Sequence, residues 1–166
     1  MATAIFYASS TGNTSGVAKD IAKILGSVET FDIASTGVEK IKEYDKIILG
    51  SSTWGEGDLQ DDWEELWDDF SEIDFSGKIV ALFGLGDQDG YPDNYVDAMG
   101  LIYEKVIENG AKVVGLWDVT DEYFHDESHA IKDGSFVGLA LDDDNQNELT
   151  QERVTAWCEQ IRSEIL

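Results

Sequence analysis

Thr3 to Ala8 is a short apolar run, and from about Asn13 the residues Val17, Ile21, Ile24 and Leu25 recur at the spacing of one helical face. This exchange of a short apolar run for a 3.6-period stretch repeats along the chain. Val28 to Ile33 alternates as a second strand. Lys46 to Gly50 is a third, Lys78 to Phe83 a fourth and Lys112 to Val119 a fifth. Ile41 and Tyr44 lie in a poorly patterned crossover. Trp63, Leu66, Trp67 and Phe70 mark a helix whose other face is acidic. Val96, Met99, Tyr103 and Val106 point a second helix inward, stopped by Asn109-Gly110 as a C-cap. After an irregular polar stretch, Phe136 to Leu141 reads as strand again, and Val154, Trp157, Ile161 and Ile165 line a closing helix. Strand and helix alternate throughout, with no linker or repeat. The expectation is an α/β single domain over residues 1–166, a doubly wound parallel sheet with right-handed crossovers, buried on both faces. Such sheets hold ligands beyond the carboxyl ends of their strands, so chemistry is sought after the first, third and fourth.

The first of these ends carries Ser9-Ser10-Thr11-Gly12-Asn13-Thr14, small polar residues against a helix start. Helix capping explains one such residue. Six in a row suit an anion cradle, in which amides, the helix dipole and hydroxyls face a phosphate. No Walker A or GxGxxG pattern is present, and no Lys follows Gly12 or Gly16, so a terminal phosphomonoester fits better than a triphosphate. The third end carries Ser51-Ser52-Thr53-Trp54-Gly55-Glu56-Gly57-Asp58, where Trp54 lies among flexible residues and can stack on a planar ligand. The other tryptophans, Trp63, Trp67, Trp117 and Trp157, fall on core positions. The fourth end, Gly84-Leu85-Gly86-Asp87-Gln88-Asp89-Gly90-Tyr91-Pro92-Asp93-Asn94, offers Tyr91 as a second ring. Two facing rings make a slot for a flat heterocycle.

Charge narrows the partners. The chain has 11 basic and 35 acidic side chains, a net charge of −24. Such a surface repels nucleic acid and anionic lipid and suits proteins with basic faces. Ten acidic residues and no basic one fall between Glu56 and Asp74, read here as a docking face beside the Trp54 loop. Asp142, Asp143 and Asp144 form a second acidic cluster, read as distant from it. Cys158, the single cysteine, sits at a core position of the last helix and fits a reducing compartment. No run is long enough to span a membrane, and the opening Met1 to Ala4 lacks a leader's basic region, so a cytoplasmic location is expected. His125 and His129 are read as solvated rather than as metal ligands. A receiver domain would need a phosphoacceptor Asp where Ser51 stands, and a small phosphatase a Cys in the first loop.

With these motifs quoted, the chain resembles a flavodoxin from end to end. The resemblance implies a three-layer fold with strand order 2-1-3-4-5, the last strand interrupted by an insert at about 120–135 as in the long-chain branch. It implies FMN as cofactor. Ser9, Ser10, Thr11, Gly12, Asn13 and Thr14 would hold its phosphate, and Trp54 and Tyr91 would cover the two ring faces. Ser51, Ser52 and Thr53 lead into the ring loop, and Gly55, Glu56, Gly57, Leu85, Gly86, Asp87 and Asn94 would meet the ring's polar edge. The implied function is a low-potential one-electron carrier without catalytic or metal site, monomeric, working with a basic-faced partner such as a ferredoxin or flavodoxin NADP reductase. A flipping Gly55-Glu56 peptide would serve the ring's N5, eased by glycine. An FMN-dependent NAD(P)H quinone reductase and an interaction module without flavin are the competing readings. The insert is expected to hold few core residues and to be dispensable for the cofactor.

Overall fold

A computed structural model describes residues 3–26 and 28–166. Met1, Ala2 and Ser27 lie outside the described residues, and with them the start of the segment in which a leader was sought. The elements are β1 (Thr3–Tyr7), α1 (Asn13–Leu25), β2 (Glu29–Asp32), α2 (Ile33–Thr36), a 3-10 turn at Glu39–Glu43, β3 (Lys46–Trp54), β4 (Asp58–Leu59), α3 (Asp61–Glu65), α4 (Trp67–Ser71) and β5 (Ile79–Leu85). α5 (Asp97–Glu108), β6 (Lys112–Val114), β7 (Trp117–Asp118), β8 (Ile131–Lys132), β9 (Ser135–Phe136), β10 (Leu139–Leu141) and α6 (Asn147–Ile165) follow. β2, β1, β3 and β5 lie side by side and parallel. The position beyond β5 is filled by two pieces, β6 along Ile79–Ala81 and β10 along Phe83–Leu85. This is the expected 2-1-3-4-5 order with its last strand interrupted.

The period-2 pattern sorts the core into two layers. Ala4, Phe6, Ile47, Leu49, Val80 and Leu82 face Trp63, Phe70, Met99, Ile102 and Val106 of α3, α4 and α5. Ile5, Tyr7, Ile48, Ala81 and Phe83 face Val17 and Ile21 of α1 and Trp157 and Ile161 of α6. Two helical layers thus cover one sheet. Trp63 is fully buried, stands edge-on to Phe70 at 5.0 Å and donates through Nε1 to the Gly50 carbonyl at 2.9 Å.

Several boundaries differ from the sequence reading. β3 runs on to Trp54, because β4 folds back antiparallel on Thr53 and Trp54. The Trp63 to Phe70 helix breaks at Leu66 (φ −95, ψ 6) into two helices, and Asp68 and Asp69 then start a new N-terminus, where acidic residues are favoured. Tyr103 and Ile24 are only half-buried, and Ile102 takes the inward place on α5, which starts one residue after Val96. Trp117 is half-buried.

The fifth strand ends at Val114 rather than Val119. There the Gly115 carbonyl accepts from Trp157 Nε1 at 2.8 Å, and the chain turns out to form a small antiparallel sheet, β7-β9-β8, that includes Phe136. It returns at Gly138, where a Cβ would stand 2.2 Å from the Leu82 carbonyl oxygen, so only glycine brings the backbone this close to β5. The insert therefore spans 115–138. Tyr123 and Ala130 of the insert are buried in the same core layer as Trp63, Phe70 and Met99, and Tyr123 Oη donates to the Ala140 carbonyl at 2.6 Å while accepting from Trp117 Nε1 at 2.8 Å. Between Thr120 and Ser135 these two are the buried residues, in keeping with the expectation of few core residues there.

Candidate functional site

The first loop turns into α1 through Gly12, at φ +94. Among the described residues no side chain caps this helix, and its first turn holds no acidic residue. The amides that open α1 are therefore not spent on a cap, which sets aside the reading of this loop as capping alone. Ser9 Oγ accepts from the Gly12 amide at 3.0 Å, and Ser10 Oγ accepts from Gln60 Nε2 at 3.0 Å. Gln60, buried, also caps α3 by accepting from the Asp62 and Trp63 amides, so it fastens the first loop to the second.

In the second loop Trp54 is 41% exposed and donates through Nε1 to Ser52 Oγ at 2.8 Å. Thr53 Oγ1 accepts from the Ala98 amide at 2.9 Å, pinning this strand end to α5. Gly55 stands at φ +51. In the third loop Tyr91 is 43% exposed. The three loops enclose a cleft of about 360 Å³, lined by Thr11, Asn13, Thr14, Ser52, Thr53, Trp54, Gly55, Leu85, Gly86, Asp87 and Tyr91. That volume suits a small organic ligand.

The remaining sequence candidates do not line the cleft. Ser9, Ser10 and Gly12 shape the first loop, and buried Ser51 donates to the Ser52 carbonyl. Glu56 is exposed outside it. Gly57 packs so near Asp97 that a Cβ would lie 2.8 Å from its Oδ2, the oxygen to which Asn94 Nδ2 donates at 3.1 Å.

Two lining residues escaped the sequence reading. Asp143 and Asp144, expected to be distant, come from the loop after β10 and line the cleft, Asp143 sharing a surface hollow with Asn13 at the start of α1. The signal was available, since the fifth strand also ends at the sheet's carboxyl edge. Among the described residues no Lys or Arg lines the cleft. Carboxylate oxygens of Asp87, Asp142 and Asp144 lie within 4.8 Å of one another. Partial burial and the neighbouring carboxylates of Asp87, Asp142 and Asp143 push Asp144 above the usual carboxylate range. Asp87 moves the other way: burial raises it, but donors from Gly90, Asn145 and Asp89 outweigh that and hold it below the usual range.

His125 and His129 do not act as a pair. His129 is exposed, 2.8 Å from Glu104 Oε1. His125 is half-buried, not solvated as expected: it stacks on Tyr95 at 4.8 Å, and burial lowers its pKa. Cys158 is buried, and burial pushes its thiol up to about 12, so it offers no nucleophile. Among the described residues no helix is long and apolar enough to cross a membrane.

Fold and cleft together define a doubly wound α/β domain with an anion-friendly helix start and an aromatic pair at its switch point. The sequence model of the flavodoxin family, described as Flavodoxin, matches residues 5–157. A flavodoxin of Picosynechococcus sp. is 49% identical over 161 residues, covering 95% of this chain and 94% of its own. Flavodoxin 1 of Escherichia coli K12 is 44% identical over 165 residues, covering 98% and 94%. The crystal structure of Fusobacterium nucleatum flavodoxin bound to flavin mononucleotide superposes with a TM-score of 0.93 at 35% identity, over 99% of both chains. The chain belongs to the flavodoxin family, electron-transfer proteins rather than enzymes.

Proposed function

We propose that this protein is a low-potential, one-electron carrier that holds FMN in the cleft between Trp54 and Tyr91. The observation that carries the reading is the convergence of the uncapped α1 start and the two exposed rings on one cleft. Bound FMN would supply one-electron chemistry at its flat ring. The chain's own residues do the rest. Amides and hydroxyls around Thr11 to Thr14 bind the phosphate, with Ser9, Ser10 and Gly12 holding that loop in shape. Trp54 and Tyr91 sandwich the ring, and Ser51, Ser52 and Thr53 fix the strand end beneath it. Backbone groups of Gly55, Leu85, Gly86 and Asp87 meet the ring edge, and Glu56, Gly57 and Asn94 brace the loops behind them. Asp87, Asp143 and Asp144 line the cleft without a cation, so negative charge added there is penalised and the carrier is strongly reducing.

Partner docking belongs to the same reading. Nine of the ten acidic residues from Glu56 to Asp74 are exposed and Asp62 is half-buried, a surface suited to a basic-faced reductase of the ferredoxin or flavodoxin NADP type. A monomer in the cytoplasm fits that role and the single buried thiol.

Titration of the apoprotein with FMN and with riboflavin tests the reading. FMN should bind far more tightly, because the first loop recognises the phosphate. Equal affinities would remove the cradle, no binding of either would remove the flavin, and fast NAD(P)H-dependent quinone turnover by the protein alone would make it an enzyme.

A further inference from the structure

Gln88 lies three residues before Tyr91, is 1% exposed and does not line the cleft. Its backbone N–H and both ends of its side-chain amide are engaged. Its amide and its Nε2 both donate to Asp142 Oδ2 at 3.1 Å, and Nε2 donates again to Gln146 Oε1 at 3.0 Å. Its Oε1 accepts from the Phe124 amide at 2.8 Å and the His125 amide at 3.2 Å, and His125 Nδ1 stands 3.2 Å from the same oxygen. Asp142 can only accept and a backbone N–H can only donate, so the partners themselves fix which end of the Gln88 amide points where. One side chain thus joins the Tyr91 loop, the loop after β10 that carries Asp143 and Asp144, and the insert.

The insert braces the other side of the Tyr91 loop through its main chain. The Pro92 carbonyl accepts from the Asp126 amide at 2.7 Å and the Glu127 amide at 2.9 Å, and the Tyr95 amide donates to the Glu127 carbonyl at 3.3 Å. Asp97 Oδ1 accepts from the His129 amide at 2.7 Å. Between these bonds Val96 is held at φ +48, a conformation that a β-branched residue keeps only where its surroundings enforce it.

We propose that Gln88 is a positioning residue for the cofactor: by locking three segments together it gives the Tyr91 wall one position before the flavin arrives. The proposal rests on the reading of the cleft as an FMN site. It makes the insert part of the cleft's frame, where the sequence suggested a dispensable loop.

The test uses the full chain with Gln88→Glu and Gln88→Met, titrated with FMN from about pH 5.5 to about pH 8. At the upper end the carboxylate introduced by Gln88→Glu faces Asp142 and the Gln146 Oε1 with no proton to donate, and FMN affinity should fall about tenfold, the cost of an unfixed wall. Once protonated, that carboxyl can donate to Asp142 and accept from Phe124 and His125, so the loss should shrink as pH falls. Gln88→Met should stay weak at every pH. The other groups around this site are Asp87, Asp142, Asp143, Asp144, His125 and Glu122, with Arg153 reaching Gln146 Oε1 at 3.0 Å; the wild type shares them, and because His125 Nδ1 stands 3.2 Å from position 88 and responds to a charge there, the ratio of variant to wild type reports position 88 together with His125. At saturating FMN, flavin fluorescence should rise in both variants as the rings hold the flavin less closely. Affinities equal to wild type at all pH values overturn the proposal, as does weak binding with unchanged fluorescence, which would mark a purely structural residue. If Gln88→Glu does not fold at the upper pH, Asp142→Ala removes the oxygen that accepts from the Gln88 amide and Nε2 and should also weaken FMN binding; wild-type affinity there overturns the proposal. A wild type that ignores FMN fails the functional reading instead.

Discussion

At the scale of single residues, the cleft depends on positions whose chemistry is obvious and on others whose chemistry is not. Gly55 is of the first kind. Its φ of +51 lies in the left-handed region, where an L residue costs about 1–2 kcal/mol, and a Cβ there would meet Asp58 Oδ2 at 3.1 Å. Gly55→Val should therefore narrow the gap between the two one-electron potentials in a redox titration, because the Gly55-Glu56 peptide can no longer turn freely toward the ring. Gly55→Asn, whose side chain tolerates this region, should narrow it less. An unchanged gap in both would mean that another group serves the ring edge. That Thr11, Asn13, Thr14, Trp54 and Tyr91 come together at one cleft was legible, because residue type alone suggests a stack or an anion nest. Gln60 and Gln88 were not. Their partners lie 50 and 54 residues away, and a glutamine amid other polar residues carries no sign of burial until those partners close over it.

Among the elements, the alternation of strands and helices was legible from periodicity, whereas the edges were set by contacts that periodicity does not see. The fifth strand stops where Trp157 takes the Gly115 carbonyl, and the acidic helix breaks at Leu66 although its apolar spacing runs through. The placement of Asp143 and Asp144 changes how the proposed docking face of α3 and α4 must be tested, because these two share the cleft and cannot serve as a remote control. Amidation of Asp61, Asp62, Glu64 and Glu65 should flatten the ionic-strength dependence of electron transfer from a basic reductase, measured by stopped flow. Amidation of Glu43, Glu108, Glu159 and Glu164, exposed at the other end of the sheet, should flatten it less, since salt screens attraction over about 8–10 Å. Equal losses would mean that only net charge matters.

For the molecule as a whole, charge is arranged along the strand direction. Lys46 and Lys112 open β3 and β6, Lys78 precedes β5, and Lys23, Lys105 and Arg162 sit in the last turns of α1, α5 and α6, all toward the amino ends of the strands. Glu56, Asp58, Asp87, Asp143 and Asp144 gather at the carboxyl ends, beside the cleft. Carboxylates lie at both ends of a molecule of net charge −24, but these basic side chains lie at the amino end, which leaves the rim of the cleft without their compensation. The divided fifth strand runs along the same axis. β6 follows β5 after a single helix, but β10 meets Phe83–Leu85 only once residues 115–138 have closed, and the Gly86 amide then reaches the Leu141 carbonyl at 3.0 Å. Two short seams loosen more independently than one continuous one. Amide hydrogen exchange should therefore be slower at Gly86 and along the fully buried β10 than along β6, whose Lys112 is exposed, and uniform exchange on that edge would contradict this. With such a gradient, the domain can breathe at its far end while the edge that receives the flavin stays set, so that the cofactor meets a cleft already shaped for it.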